Sequence, residues 1–142
     1  MKKVIFLVLT VVIAITSSCQ KEATMSVPYA FGIIETNATG AELIKISTYI
    51  AGLGVPIGAK SYDSSGKGAN DDKAMNKALA DADSQAKKDC DQAIAKFKTA
   101  DIQALGLEST TKFSWGCVRK TEPLNSSSIA TTVIGEFKWN MN

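Results

Sequence analysis

Three cysteines, Cys19, Cys90 and Cys117, and the short run holding Tyr62, Asp63 and Lys67 are the side chains whose types and spacing could do chemistry here. A thiol can be acylated, paired in a disulfide or used as a nucleophile. A phenol, a carboxylate and an amine on one loop can grip a polar ligand. The sequence contains no histidine. Imidazole-assisted serine or cysteine catalysis, the HExxH zinc site and Cys/His zinc sites are therefore excluded in their usual forms. Asp81, Asp83, Asp89 and Asp91 invite a metal reading, but a two-residue step turns a helical side chain through about 200°. Neither Asp81 with Asp83 nor Asp89 with Asp91 converges on one ion, and the glycine and distal glutamate of a calcium loop are missing. They read as solvated helix charges, with no metal and no cofactor.

Gly66-Lys67-Gly68 fails as a phosphate loop. That loop needs a hydroxyl where Gly68 stands and a glycine where Ser61 stands, so no nucleotide is expected. Trp115 and Trp139 would make a sugar-stacking platform if they faced water, but their places on apolar strand faces assign them to the core.

The surroundings of Cys19 assign it a different task. Lys2 and Lys3 precede an apolar run, Val4 to Ile15, and then Thr16, Ser17 and Ser18. A basic start, an apolar stretch and small residues before a cut are the chemistry of a secretory signal. The run is shorter than the roughly 20 apolar residues that a spanning helix needs. With Cys19 next, the segment resembles a bacterial lipoprotein signal peptide. Thr16 stands where the usual lipobox has an aliphatic residue, with Ile15 one step earlier, and that departure is similar to the looser boxes of Bacteroidetes-type lipoproteins. The resemblance implies cleavage before Cys19, acylation of its thiol (palmitate among the acyl chains) and an outer-membrane anchor. Lys21 and Glu22 behind the cysteine resemble part of a surface-export signal, and Gln20 is not the aspartate that retains lipoproteins in the inner membrane. Periplasmic side and cell surface both stay open. The resemblance ends near residue 25 and says nothing about the domain behind it.

The reading divides the chain into a signal peptide over 1–18, a lipidated tether over 19–26 and one domain over 27–142. The leader holds two lysines and no acid, so the remainder carries equal numbers of basic and acidic residues. A neutral domain lacks the basic face that nucleic acid requires. Once Cys19 is lipidated, Cys90 and Cys117 are an even pair in an oxidising compartment, and a disulfide between them is expected. It would stabilise by about 3.5 kcal/mol on chain entropy alone. Two free buried thiols are the alternative.

The elements that must position these residues follow from periodicity. Val27–Glu35 reads as a strand with Tyr29, Phe31 and Ile33 on one face. Thr39 to Glu42 matches a capping box, followed by the stripe Leu43, Ile46, Ile50 and Leu53, with Gly54 and Pro56 ending the helix. Residues 55–70, rich in glycine and serine, read as a loop; Tyr62, Asp63 and Lys67 on it are candidate ligand contacts, the alternative being a polar loop with no partner role. Asn70 caps a long helix whose buried stripe is Met75, Leu79, Ala82, Ala86, Cys90, Ala93 and Phe97, ending between Thr99 and Gly106. Two half-buried strands close the chain. In the first, Phe113, Trp115 and Cys117 face one way, and Lys112, Ser114 and Gly116 the other. In the second, Ile129, Thr131, Val133, Phe137, Trp139 and Met141 share one face, with Thr132, Glu136 and Lys138 opposite. The predicted fold is α+β, a two-layer sandwich in the order βααββ, with two helices on one face of a small antiparallel sheet.

Anchor, neutrality and the absence of imidazole point to a non-enzymatic envelope lipoprotein that binds an envelope protein or polysaccharide. An inhibitor or immunity protein is an alternative, as is a small glycan hydrolase using two carboxylates. Glu35, Glu42, Glu108, Glu122 and Glu136 are scattered, however, and retaining or inverting hydrolysis needs a facing pair. Replacing Cys19 with alanine is expected to abolish incorporation of an alkyne-tagged palmitate in the bacterium, and persistent labelling of that variant would contradict the anchor.

Overall fold

The computed structural model describes residues 10–15, 20–121 and 130–140. Five strands, β1 (Thr10–Ile15), β2 (Lys21–Thr36), β3 (Gly58–Gly68), β4 (Lys112–Thr121) and β5 (Ala130–Asn140), form one antiparallel sheet. Three helices accompany it: α1 (Gly40–Gly52), α2 (Asp71–Ile94) and α3 (Thr99–Gln103). The class is α+β. The chain order is ββαβααββ and not βααββ, because both the tether and the loop of the sequence reading contain strand.

Residues 21–26 belong to β2, where Ala23 and Met25 are buried, so they do not form a tether. The expected loop over 55–70 contains β3, paired with β2 from Lys21↔Gly68 to Phe31↔Gly58. Its inward positions are Tyr62, Ser64, Gly66 and Gly68. Three of these are small, so the two-residue period is present in the strand but invisible as hydrophobicity. Of the leader, residues 1–9 and 16–19, with Cys19, lie outside the described residues, and Thr10–Ile15 is β1.

The small inward residues serve helix α2. Asn70 caps it as expected, its Oδ1 accepting from Lys73 N at 2.9 Å. The buried stripe is Ala74, Ala78, Ala82, Ala86, Cys90 and Ala93. Met75 and Leu79 are only half-buried, one residue round from the expected face. Leucine and methionine would hold the helix away from the sheet, whereas alanine lets it settle onto glycine. A methyl group at Gly66 would come 2.4 Å from Ala78 N and 2.6 Å from Ala74 O. A methyl at Gly135 of β5 would lie 2.9 Å from Cys90 Sγ. The helix stops at Ile94, short of the expected end, and α3 follows separately.

Beyond α2 the core is aromatic. Phe97 stacks on Phe137 at 4.7 Å and lies 5.4 Å from Trp115, while Tyr49 of α1 meets Phe97 edge-on at 6.1 Å. Ile46 and Ile50 hold α1 in place, with Leu43 and Leu53 half-buried. The capping box does not form: Thr39 makes no side-chain cap, and Glu42 reaches away to accept from Glu108 N at 2.6 Å and Thr111 Oγ1 at 2.7 Å. Two tertiary bonds outweigh one local one.

Phe113, Trp115 and Cys117 face inward as expected. On β5 the face assignment holds for Phe137 and Trp139 but not for Val133, which is 46% exposed. The register slips where Cys117↔Gly135 is followed by Val118↔Val133. The extra residue, Ile134, is a bulge that turns the preceding residues over. Ile129 and Met141 lie outside the described residues. Because main-chain atoms would collide at Gly66, G66A is expected to lose about 2–3 kcal/mol in urea unfolding. G32A, where a methyl would meet nothing within 4 Å, should lose less than about 1 kcal/mol. Equal losses would refute the close seating of α2.

Candidate functional site

Two aspartates expected to be solvated are instead tied to the sheet. Asp83 sits beside the alanine stripe of α2, where Tyr29 OH donates to its Oδ1 at 2.5 Å. Arg119, the one arginine of the chain, donates from Nε to Oδ1 at 2.9 Å and from Nη2 to Oδ2 at 3.2 Å. This fork joins α2 to β2 and β4. Further along α2, Asp89 Oδ2 accepts from Tyr62 OH at 2.6 Å and from Lys60 Nζ at 3.0 Å. The two phenol rings meet edge-on at 5.4 Å. Burial, reinforced by the aspartate each one donates to, pushes both phenols well above their ordinary range. The bonds from Tyr62 and Lys60 hold Asp89 below the usual carboxylate range. The network fastens a helix to a sheet, and the carboxylate contacts in it are structural.

The trio predicted on a loop is separated by strand alternation. Tyr62 is buried under α2, while Asp63 and Lys67 are exposed on the opposite face of β3. They do not form one site. Asp63 shares a shallow hollow of about 540 Å³ with Asp81, Thr24 and Ser65. Both acids are exposed there, and Asp81 Oδ2 accepts from Gln85 Nε2 at 3.1 Å, so the dry facing pair that glycan hydrolysis requires is not assembled. Ser64 Oγ borders that hollow, buried and without a partner, on the helix side of β3. Among the described residues no group of three or more Cys, Asp or Glu side chains is placed to hold a metal ion.

The expected disulfide is not drawn in this structure, where Cys90 and Cys117 are free thiols. Both are fully buried, and burial pushes the Cys117 thiol up to about 12 and raises Cys90 as well. Trp115 and Trp139 are 0% and 6% exposed, and neither offers a face to a sugar.

A second concavity lies across the paired ends of β2, β4 and β5. Strand pairing sets Glu35, Ser114 and Lys138 in one row across β2, β4 and β5. The next row is Asn37, Lys112 and Asn140. Together they line a groove of about 440 Å³. Asn37 and Thr36 are occupied in shaping its corner: Lys112 N donates to Asn37 Oδ1 at 2.8 Å, and Thr36 Oγ1 donates to Lys112 O at 2.9 Å. Ser114, only 4% exposed, has an inaccessible hydroxyl with no hydrogen-bond partner. Lys138 beside it is 75% exposed, its Nζ 3.8 Å from Glu136 Oε1. The sequence assigns Lys112, Ser114 and Lys138 to outward strand faces. Only the register brings them together with Glu35.

No family model, no curated protein and no solved structure matches this chain. The titrating groups set a pH window. The raised groups (Tyr29, Tyr62, Cys90 and Cys117) stabilise the fold fully below their unfolded values, near pH 8.5 for thiols and pH 10 for phenols, and lose that contribution as pH rises. The lowered groups, Glu42 and Asp89, stabilise above about pH 4 and lose that contribution as pH falls. Thermal unfolding is thus expected to be level between about pH 5 and 8 and to fall on both sides. Y29F and Y62F should start lower and show a shallower alkaline decline. An alkaline limb identical to that of the parent would contradict the assignment of the phenols.

Proposed function

We propose that this chain is a lipid-anchored envelope protein that binds another envelope polypeptide through the groove over Ser114 and catalyses no reaction. One observation carries the reading. A buried hydroxyl without a partner costs about 1–3 kcal/mol, and folded proteins rarely leave one so. Here it belongs to a residue that lines an open groove, next to Lys138 in the sheet register. A ligand seated in the groove and reaching that hydroxyl would supply the missing hydrogen bond.

The groove carries two amines, Lys112 and Lys138, and one carboxylate, Glu35. Charges of both signs suit a polypeptide better than a neutral glycan, and the buried tryptophans remove the usual means of holding a sugar ring. With the helices taken as one layer on the inner face, the outer face of the sheet is left to a partner. Its exposed residues, Thr24, Ser61, Asp63, Ser65 and Lys67, are polar, as expected of a surface that meets water when unbound. An inhibitor or immunity protein would be one form of such a binder. The anchor expected at Cys19 supplies the location.

S114A separates structure from function. Removing an orphan hydroxyl is expected to raise stability by about 1 kcal/mol. In the same variant, cross-linking in intact cells from benzoylphenylalanine in place of Lys138 should fall several-fold. The same photoreactive residue in place of Ser61 on β3 serves as the control and should give no discrete adduct. Equal adducts from both positions, or a Ser114 variant that leaves the Lys138 adduct unchanged, would overturn the proposal.

A further inference from the structure

We propose that loss of the leader opens a six-residue edge of β2, Lys21–Ser26, and that an extended apolar segment of another envelope polypeptide enters it antiparallel to β2. The inference rests on cleavage before Cys19. In the full chain that edge is occupied by β1, with the register Thr10↔Ser26 through Ile15↔Lys21. All six β1 residues precede Cys19, so the expected cut removes them from the chain that keeps β2.

The edge left behind is well supported. β3 holds the opposite side of β2 from Lys21 to Phe31, and α2 covers Ala23 and Met25 from within. On the open side, β4 takes over only from Ala30, after an interval that contains Pro28. Main-chain donors and acceptors at Lys21–Ser26 would therefore stand unpaired on a rigid strand, the condition under which sheets recruit strands. The other free edges are guarded. On β3, Gln85 Nε2 donates to the carbonyl of Asp63 at 2.9 Å, and Lys60 and Lys67 add charge. On β5, the bulge at Ile134 and the charged pair Glu136 and Lys138 do the same work.

The departing segment describes the chemistry of its replacement. TVVIAI is rich in β-branched apolar residues, the types that pack well on a pleated surface. Positions opposite Ala23 and Met25 stand on the helix-covered side, so an incoming strand needs apolar residues there, alternating with freer positions. A second copy fits less well, because two β2 edges paired antiparallel would bring the copy's β4 across the line of Gln20 and the acylated end.

Hydrogen exchange read by mass spectrometry tests this on two full-length products: the acylated mature protein in detergent, and the C19A precursor that keeps its leader. In the mature protein, the β2 amides facing the open edge, alternate residues of Lys21–Ser26, should exchange at least about tenfold faster than in the precursor. Added peptide TVVIAI, carrying a solubilising lysine tail, should restore their protection, and the same peptide with proline at its third position should not. Equal protection without peptide would overturn the open edge, and sedimentation as a dimer in that case would assign it to a second copy. Fast exchange that TVVIAI leaves unchanged would overturn the apolar-strand occupant. An intact mass that retains Thr10–Ile15 in the wild-type sample would overturn the cleavage reading itself, and so distinguishes that failure from a failure of the edge.

Discussion

Strand β2 is the constraint on which the rest of the molecule depends. Over sixteen residues it pairs with β3 along one edge and with β1 and then β4 along the other. The residues at its two ends differ in character. Its N-terminal half presents Ala23, Met25 and Val27, small or flexible enough for a helix to lie close. Its C-terminal half presents Phe31 to the aromatic cluster around Trp115, 6.2 Å between ring centres. Tyr29 stands between these regions and ties the strand to α2 through Asp83.

The close seating of α2 rests on small side chains. Alanine against glycine gives few buried methylenes per residue, and hydrophobic stabilisation scales with apolar area. The network of Asp83 and Asp89 compensates by fixing the helix with charge-assisted bonds at the margin of the core, where Asp83 and Arg119 are only partly exposed. The groove over Ser114 and the N-terminal half of β2 are the two regions proposed to meet a partner, one by side-chain chemistry and the other by main-chain pairing.

Strong periodic signals were legible in the sequence, and their absence explains what was not. The α+β class, the inward set Phe113, Trp115 and Cys117 and the Asn70 cap follow directly from alternation and capping. β3 was hidden because Ser64, Gly66 and Gly68 are inward without being apolar. For the same reason the helix stripe was misread at Met75 and Leu79: the sheet below selects the smallest side chains, not the greasiest. Val133 was misassigned because a bulge at Ile134 leaves no mark on composition. The groove was legible only in fragments, since Glu35, Ser114 and Lys138 are far apart in sequence and meet through register alone. Counting cysteines suggests a disulfide, and the structure leaves the two buried thiols unbridged.

If the functional chain begins at an acylated Cys19, without β1, then β2 keeps an open edge beside the membrane, as proposed. Top-down mass spectrometry of the polypeptide isolated from its own membranes tests this most directly. The account predicts a chain starting at Cys19 with a mass increment of acyl groups on that residue. A chain of unmodified mass that still contains Thr10–Ile15 would contradict it.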